Sequence, residues 1–384
     1  MARPPLILVF AIALLLSPVA WAQQSLIPSP PDLASKSYVL MDTRSGRVLV
    51  ERDMHVRLPP ASLTKMMTAY IADREMAEGR LDLDDEIRIS ESAWRTGGSR
   101  MFVREGTRVR VEDLMRGVVI QSGNDASVAL AEHIAGSEKA FAELMNQQAQ
   151  QLGMENSQFA NATGLPHPDQ YSTAYDMALL AEAKIEDFPE SYEMYSERYY
   201  TYNGIRQPNR NRLLWRDESV DGLKTGHTEE AGYCLVASAK RGDTRLVAVV
   251  MGASSDEARA REVQQLLNYG FRYFESHQLF AASEPVMESR VWGGQKDSVA
   301  LGLSGDLNLS IPSGSRDQLD STVEVDSVLK APLKAGEEYG QLSISLNGEL
   351  LAERPLVALE DVEKGGLFKR LWDSLKLFFS RLFS

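Results

Sequence analysis

The spacing of apolar residues changes several times along this chain, and the changes mark its elements. Ser37 to Asp42 and Arg47 to Val50 read as two strands, with Ser45-Gly46 as the turn of a hairpin. From Pro59 to about Gly79 the period becomes helical, with Met66, Met67, Tyr70, Ile71 and Met76 near one side. The same period predicts helices over 111–119, 126–134, 138–152 and 259–274. Strand signals return at 233–239 and 246–251, led into by Leu213-Leu214-Trp215 and Leu223-Lys224. Helices enclosed between early and late strands predict a mixed α/β (α+β) domain over residues 36–275, large enough to bury a site.

Beyond that domain the period drops to two. Leu307 to Ile311, Thr322 to Val325 and Leu342 to Leu346 alternate, and Asn347-Gly348 is a hairpin-turn signal. Residues 280–360 therefore read as a small all-β domain. In 364–384, after Gly365-Gly366, helical spacing resumes through Leu367, Leu371, Leu375, Phe378 and Leu382, widened by Phe368, Trp372, Phe379 and Phe383. Lys369, Arg370, Asp373, Lys376 and Arg381 interrupt the apolar run, so this helix is poorly suited to span a bilayer. Such a helix suits a membrane interface, with its rings in the acyl boundary and its cations on an anionic surface. The alternative is a helix that docks on the β domain or on a partner protein.

The start of the chain reads as an export signal over residues 1–22: Arg3, an apolar run from Leu6 to Leu16, then Ala20-Trp21-Ala22 as a cleavage site. The Pro- and Ser-rich stretch 23–35 reads as a linker. A formal net charge of −13 argues against a nucleic-acid partner. Cys234 is the only cysteine, which excludes an intramolecular disulfide, and it falls in a strand signal as a small buried side chain. His55, His133, His167 and His277 show no metal-ligand spacing, so neither a metal nor a cofactor is expected, and a zinc peptidase is disfavoured.

Three short motifs carry the candidate chemistry. In Ser62-Leu63-Thr64-Lys65, a spacing of three at the start of a helix puts both side chains on one face. Ser62 can then attack a carbonyl as it hands its proton to a neutral Lys65 amine, a state that burial and a nearby cation favour. In Ser122-Gly123-Asn124, on a loop between helices, Ser122 can relay a proton between Lys65 and a leaving amine. Asn124 can hold Lys65 and donate to a substrate carbonyl. In Lys224-Thr225-Gly226, Lys224 and the Thr225 hydroxyl can bind a terminal carboxylate. Lys224 is also the expected cation beside Lys65, and Gly226 lets a substrate backbone pair closely with the strand. The amides of Ser62 and His227 are candidates for an oxyanion hole. The first two motifs are weak alone, since Ser327-Val328-Leu329-Lys330 and Ser345-Leu346-Asn347 are chance copies in the β domain, whereas Lys224-Thr225-Gly226 occurs once and precedes a strand.

The three motifs in this order, within Pro60 to Thr68, Gln121 to Ala126 and Asp221 to Thr228, resemble those of the low-molecular-mass penicillin-binding proteins. The resemblance is to the D-alanyl-D-alanine carboxypeptidases of the penicillin-binding protein 5 and 6 type. Gly164-Leu165 through Tyr171-Ser172-Thr173 is similar to that family's loop below the active site. The resemblance implies a serine β-lactamase/DD-peptidase-like catalytic domain. It implies removal of the terminal D-alanine from peptidoglycan stem pentapeptides through an acyl-enzyme on Ser62, and slow turnover of β-lactam antibiotics as inhibitors. It also implies that Arg259, with Arg261 the neighbouring candidate, supports the substrate carboxylate beside Lys224. The expected location is the periplasm, at the outer face of the cytoplasmic membrane. A DD-endopeptidase on the same site, a β-lactamase and a catalytically idle cell-wall scaffold are the alternatives.

Overall fold

The computed structural model describes residues 27–382, with the side chains of 380–382 left out. The expected export signal lies outside the described residues. Five antiparallel strands build the central sheet: β1 (Ser37–Asp42), β2 (Arg47–Arg52), β3 (Val220–Thr228), β4 (Gly232–Arg241) and β5 (Thr244–Ala253). Their order is β2-β1-β5-β4-β3, so the strand carrying Lys224 is an edge. Both faces are covered. Val39 and Met41 of β1 enter one apolar core, and Tyr38 and Leu40 enter another. A strand covered on both sides reads as continuously apolar rather than alternating.

The first core holds α1 (Lys65–Ala77), α2 (Asn124–Ala135), α3 (Glu138–Gln151) and α4 (Ala174–Asp187). Helix α4 has no counterpart among the expected helices. It starts at Thr173, whose hydroxyl accepts from the amide of Asp176, satisfying one of the free donors of a helix start. The buried ammonium of Lys184 on α4 bonds Asp73 of α1 and the hydroxyl of Ser191 at 2.7 Å. The second core lies under α5 (Asp256–Tyr273). Of the stretch expected as a linker, the described part packs there: Leu33 is buried, and Tyr269 Oη donates to Pro28 O at 2.9 Å. Leu213–Arg216, expected to lead into a strand, is a short helix.

A second body follows, with strands β6 (Phe274–Phe280), β7 (Pro285–Trp292), β8 (Ser298–Gly302), β9 (Leu307–Pro312), β10 (Leu319–Val325), β11 (Leu329–Lys330), β12 (Glu338–Leu346) and β13 (Glu349–Ala358). Six of them form one sheet in the order β10-β12-β13-β8-β7-β11, and β6 pairs with β9. Asn347 and Gly348 take positive φ between β12 and β13, the geometry a tight hairpin needs. Arg47 Nη1 donates to Ser310 O at 2.5 Å, and Ser276 donates to the Asp42 carboxylate, so the first sheet and the β domain are joined by polar contacts.

Helix α6 (Leu367–Leu382) docks by one side and exposes the other. Asp373, 6% exposed, accepts from Gly293 N at 2.9 Å, and Lys369 pairs with Asp297 at 2.9 Å. Leu367, Phe368, Leu371 and Trp372 stay 59–91% exposed. No helix among the described residues is long and apolar enough to cross a membrane.

Candidate active site

The nucleophile candidate sits on a strained turn. Ala61 takes a left-handed φ of +48° and opens a 3-10 turn, Ala61–Thr64, that runs into α1. A non-glycine residue in that region is uncommon and costs energy that the surrounding packing must supply. The turn leaves Ser62 half-buried and starts α1 with Lys65, which is 1% exposed. Lys65 Nζ lies 3.1 Å from Ser62 Oγ and also donates to Thr163 O. Burial, with a smaller push from the Arg210 guanidinium, lowers the Lys65 ammonium from an ordinary value near 10.5 to about 7. Asp125 and Glu138 pull weakly the other way.

The second motif begins with another left-handed residue, Ser122 at φ +64°, which closes the helical turn Gly117–Gln121. Its hydroxyl accepts from Lys224 Nζ at 2.9 Å. Lys224 lies on edge strand β3, donates also to Thr225 O at 3.0 Å, and is 2% exposed. Burial, then Lys65, Arg210 and Arg259, hold its ammonium well below the usual lysine range. The Arg210 and Arg259 guanidiniums thus stand beside two buried lysines, neither of which forms an ion pair among the described residues. A negatively charged ligand entering this cleft meets a positive field in a poorly solvated site.

The structure brings Ser62, Lys65, Ser122, Lys224, Thr225 and Gly226 together, corrects one expectation and adds to two others. Asn124 does not bond Lys65. Its amide Nδ2 donates to Gly97 O at 2.7 Å and its backbone N to Ser99 O at 2.7 Å, while Lys65 is held by Thr163 instead. Asn124 therefore pins the 97–99 loop over the cleft. Gly226 is small for a second reason: a Cβ there would lie 3.0 Å from Pro60 O and 3.3 Å from Leu63 N, so β3 packs tightly on the nucleophile turn. Arg259, expected to support the substrate carboxylate beside Lys224, bonds the strands beside that lysine. Its Nη1 donates to Gly226 O at 2.9 Å and to Cys234 O at 3.3 Å, and Nη2 pairs with Asp256. Arg261 is exposed. His227 is exposed, with its ring 4.0 Å from that of Tyr233.

Two contributors lie outside the three motifs. Arg210 donates from Nε to Gln121 O at 3.0 Å, which sets its charge beside the cleft. Its loop is fixed by buried Asn209, bonded to Tyr195 O and Glu197 O, and by Asn211, bonded to Gly222 O at 2.8 Å. Two asparagines flanking one arginine just before the third motif were the only signal. The other is the loop at Thr163-Gly164. A Cβ on Gly164, at φ +79°, would sit 1.8 Å from Ala61 O, so only glycine brings Thr163 O under Lys65.

Comparison with known proteins finds relatives along nearly the whole chain. A family model described as D-alanyl-D-alanine carboxypeptidase matches residues 24–255, and one described as penicillin-binding protein 5, C-terminal domain, matches residues 274–364. The chain is 43% identical to the D-alanyl-D-alanine carboxypeptidase DacC of Escherichia coli K12, covering 97% of this chain and 95% of that one. A crystal structure of penicillin-binding protein 5 from Haemophilus influenzae superposes with a TM-score of 0.85 at 43% identity, over 88% of this chain and all of the other. Penicillin-binding protein D2 of Listeria monocytogenes, solved in an ampicillin-bound form, matches at 31% identity and a TM-score of 0.58, over 63% of this chain and all of the other.

Proposed function

The chain belongs to the D-alanyl-D-alanine carboxypeptidase family, and we propose that it removes the terminal D-alanine from peptidoglycan stem pentapeptides through an acyl-enzyme on Ser62. The observation that carries this reading is the pair Lys65 Nζ and Ser62 Oγ, 3.1 Å apart, with the amine lowered to about 7 and so available as a base near neutrality.

In the proposed sequence, Lys224 and Thr225 receive the terminal carboxylate, whose charge favours the protonated form of Lys224. Ser62 attacks the carbonyl of the penultimate D-alanine as Lys65 takes the Ser62 proton. The amides of Ser62 and His227 stabilise the oxyanion. Ser122 passes a proton to the departing D-alanine amine, the ester forms at Ser62, and the peptide C–N bond breaks. Water, deprotonated through Lys65 with Ser122, then opens the ester and releases the tetrapeptide. Arg259 acts as a positioning residue that holds the Gly226 carbonyl and so the strand. Asn124 acts through the 97–99 loop and toward the substrate carbonyl. β-Lactams acylate the same serine. The ampicillin-bound relative supports that part of the reading.

The reading includes place. The export signal expected over residues 1–22 and the exposed apolar stripe of α6 support a periplasmic enzyme held at the outer face of the cytoplasmic membrane. The test of function is D-alanine release from a stem pentapeptide by the intact protein and by Ser62→Ala. Release that vanishes in the variant supports the reading. Absence of release in the intact protein, with a cross-linked muropeptide cleaved instead, replaces it with an endopeptidase.

A further inference from the structure

Between helix α6 and the β7–β11 edge lies a cavity of about 340 Å³, lined by residues of the β domain and α6 and by none of the three motifs. Trp292, Lys330, Arg370, Asp373, Leu377 and Phe378 are among its walls. Lys330 belongs to the chance Ser-x-x-Lys copy, and Arg370 lies on the first turn of α6. The neighbouring lysines are neutralised: Lys296 by Glu360, Lys334 by Asp361 and Lys369 by Asp297. Lys330 and Arg370 form no ion pair among the described residues. The one acid in the wall, Asp373, is nearly buried and accepts the Gly293 amide. Two cations against one carboxylate leave the cavity with a positive balance.

The position of the opening narrows the occupant. Arg370, Ser374 and Phe378 follow one another at four-residue steps, so they line one edge of the helix. That edge adjoins the stripe of Leu367, Leu371 and Phe378, which are 81%, 71% and 61% exposed. A ligand that fits both parts carries a phosphate for the cations and hydrocarbon for the stripe. An indole, here Trp292, is suited to headgroup depth because one side of it is apolar and the other polar.

We propose that this cavity binds the headgroup of an anionic glycerophospholipid, with the phosphate between Lys330 and Arg370 and the acyl chains running out along Phe378. The proposal rests on the membrane-surface reading above and adds a discrete lipid site to it. The terminal helix is then not a free tether. Together with the β domain it forms a receptor that takes a single lipid while the rest of the stripe lies in the bilayer.

The experiment uses the intact chain and dihexanoylphosphatidylglycerol kept below its micelle concentration, titrated by calorimetry. Dihexanoylphosphatidylcholine and inorganic phosphate serve as comparison ligands. Saturable binding with a stoichiometry of one is expected for the anionic lipid, at least about tenfold tighter than for either comparison ligand. Lys330→Gln/Arg370→Gln should weaken it at least about tenfold, whereas Lys364→Gln/Lys376→Gln, with the same loss of charge outside the cavity, should not. D-Alanine release from a soluble pentapeptide should be unchanged in both variants, which shows that their catalytic domain is intact. Equal weakening by the two pairs, no saturation, or equal affinity for free phosphate overturns the lipid site. Vesicles of phosphatidylglycerol separate this outcome from failure of the underlying reading. If the unaltered protein does not sediment with them, the membrane reading itself falls. If the protein and its Lys330/Arg370 variant sediment equally, only the cavity proposal falls.

Discussion

Lys224 Nζ donates to Ser122 Oγ across 2.9 Å, joining the strand that would grip a carboxylate to the hydroxyl that would relay a proton. In the proposed chemistry, binding and proton transfer are therefore coupled through one ammonium. Replacing it by Lys224→Ala should lower kcat/KM for a pentapeptide by about 10- to 100-fold, the range for a charge-assisted hydrogen bond in a desolvated site. The same variant should lose little further on a substrate whose terminal carboxylate is an amide. Steady-state kinetics on the acid and amide pair check this, and an equal loss on both would assign Lys224 to the relay alone.

The lowered ammonium of Lys65 sets a pH dependence. Only the neutral amine can take the Ser62 proton, so acylation by a penicillin should climb with pH up to about 7 and level off above it. Stopped-flow measurement of acylation from pH 5 to 9 reads the limb directly. Stability should follow the same sign. An unfolded lysine keeps its proton to about 10.5, so between about 7 and 10.5 the unfolded chain binds more protons at this position. The Lys65 contribution to stability therefore increases with pH across that window and is least below it.

Arg210 supplies part of the shift. Its guanidinium faces Lys65 without serving the substrate in the proposed chemistry, so Arg210→Gln should move the acylation limb to higher pH. At pH 6 the rate should fall roughly severalfold, while the plateau at high pH changes little. A uniform loss at all pH values would mean that the variant disturbs the loop rather than the charge.

Gly164 and Ala61 are in direct backbone contact, and no side chain fits between them. Gly164→Ala should destabilise the protein by about 1–3 kcal/mol, the usual cost of overpacking, and lower Tm by roughly 2–12 °C. Acylation should fall as well, because the displaced loop withdraws Thr163 O from Lys65. Calorimetry together with penicillin binding tests both effects on one sample.

Local signals made much of this molecule legible. Ser62 and Lys65 are three residues apart, so a helical turn alone joins them, and the Asn347-Gly348 turn specifies its hairpin without help from the rest of the fold. What stayed hidden depends on distant parts of the chain. Arg210 reaches the cleft only because two asparagines tie its loop to Tyr195 and Gly222. Gly226 could be assigned a role toward substrate, but its contact with Pro60 and Leu63 exists only once β3 closes on the nucleophile turn. Helix α4 has Thr173 and Asp176 to announce its start, but its buried positions include the polar Asp176 and Lys184, which break the apolar pattern.

The β domain is held at both ends. Asp42 and Arg47 of the first sheet bond it through Ser276 and Ser310, and Asp373 of the terminal helix bonds it through Gly293. With the helix lying on a bilayer as proposed, the domain becomes a ruler. Its length, rather than diffusion on a slack leash, fixes the height at which Ser62 works, and so selects the layer of cell wall whose stem peptides come within reach.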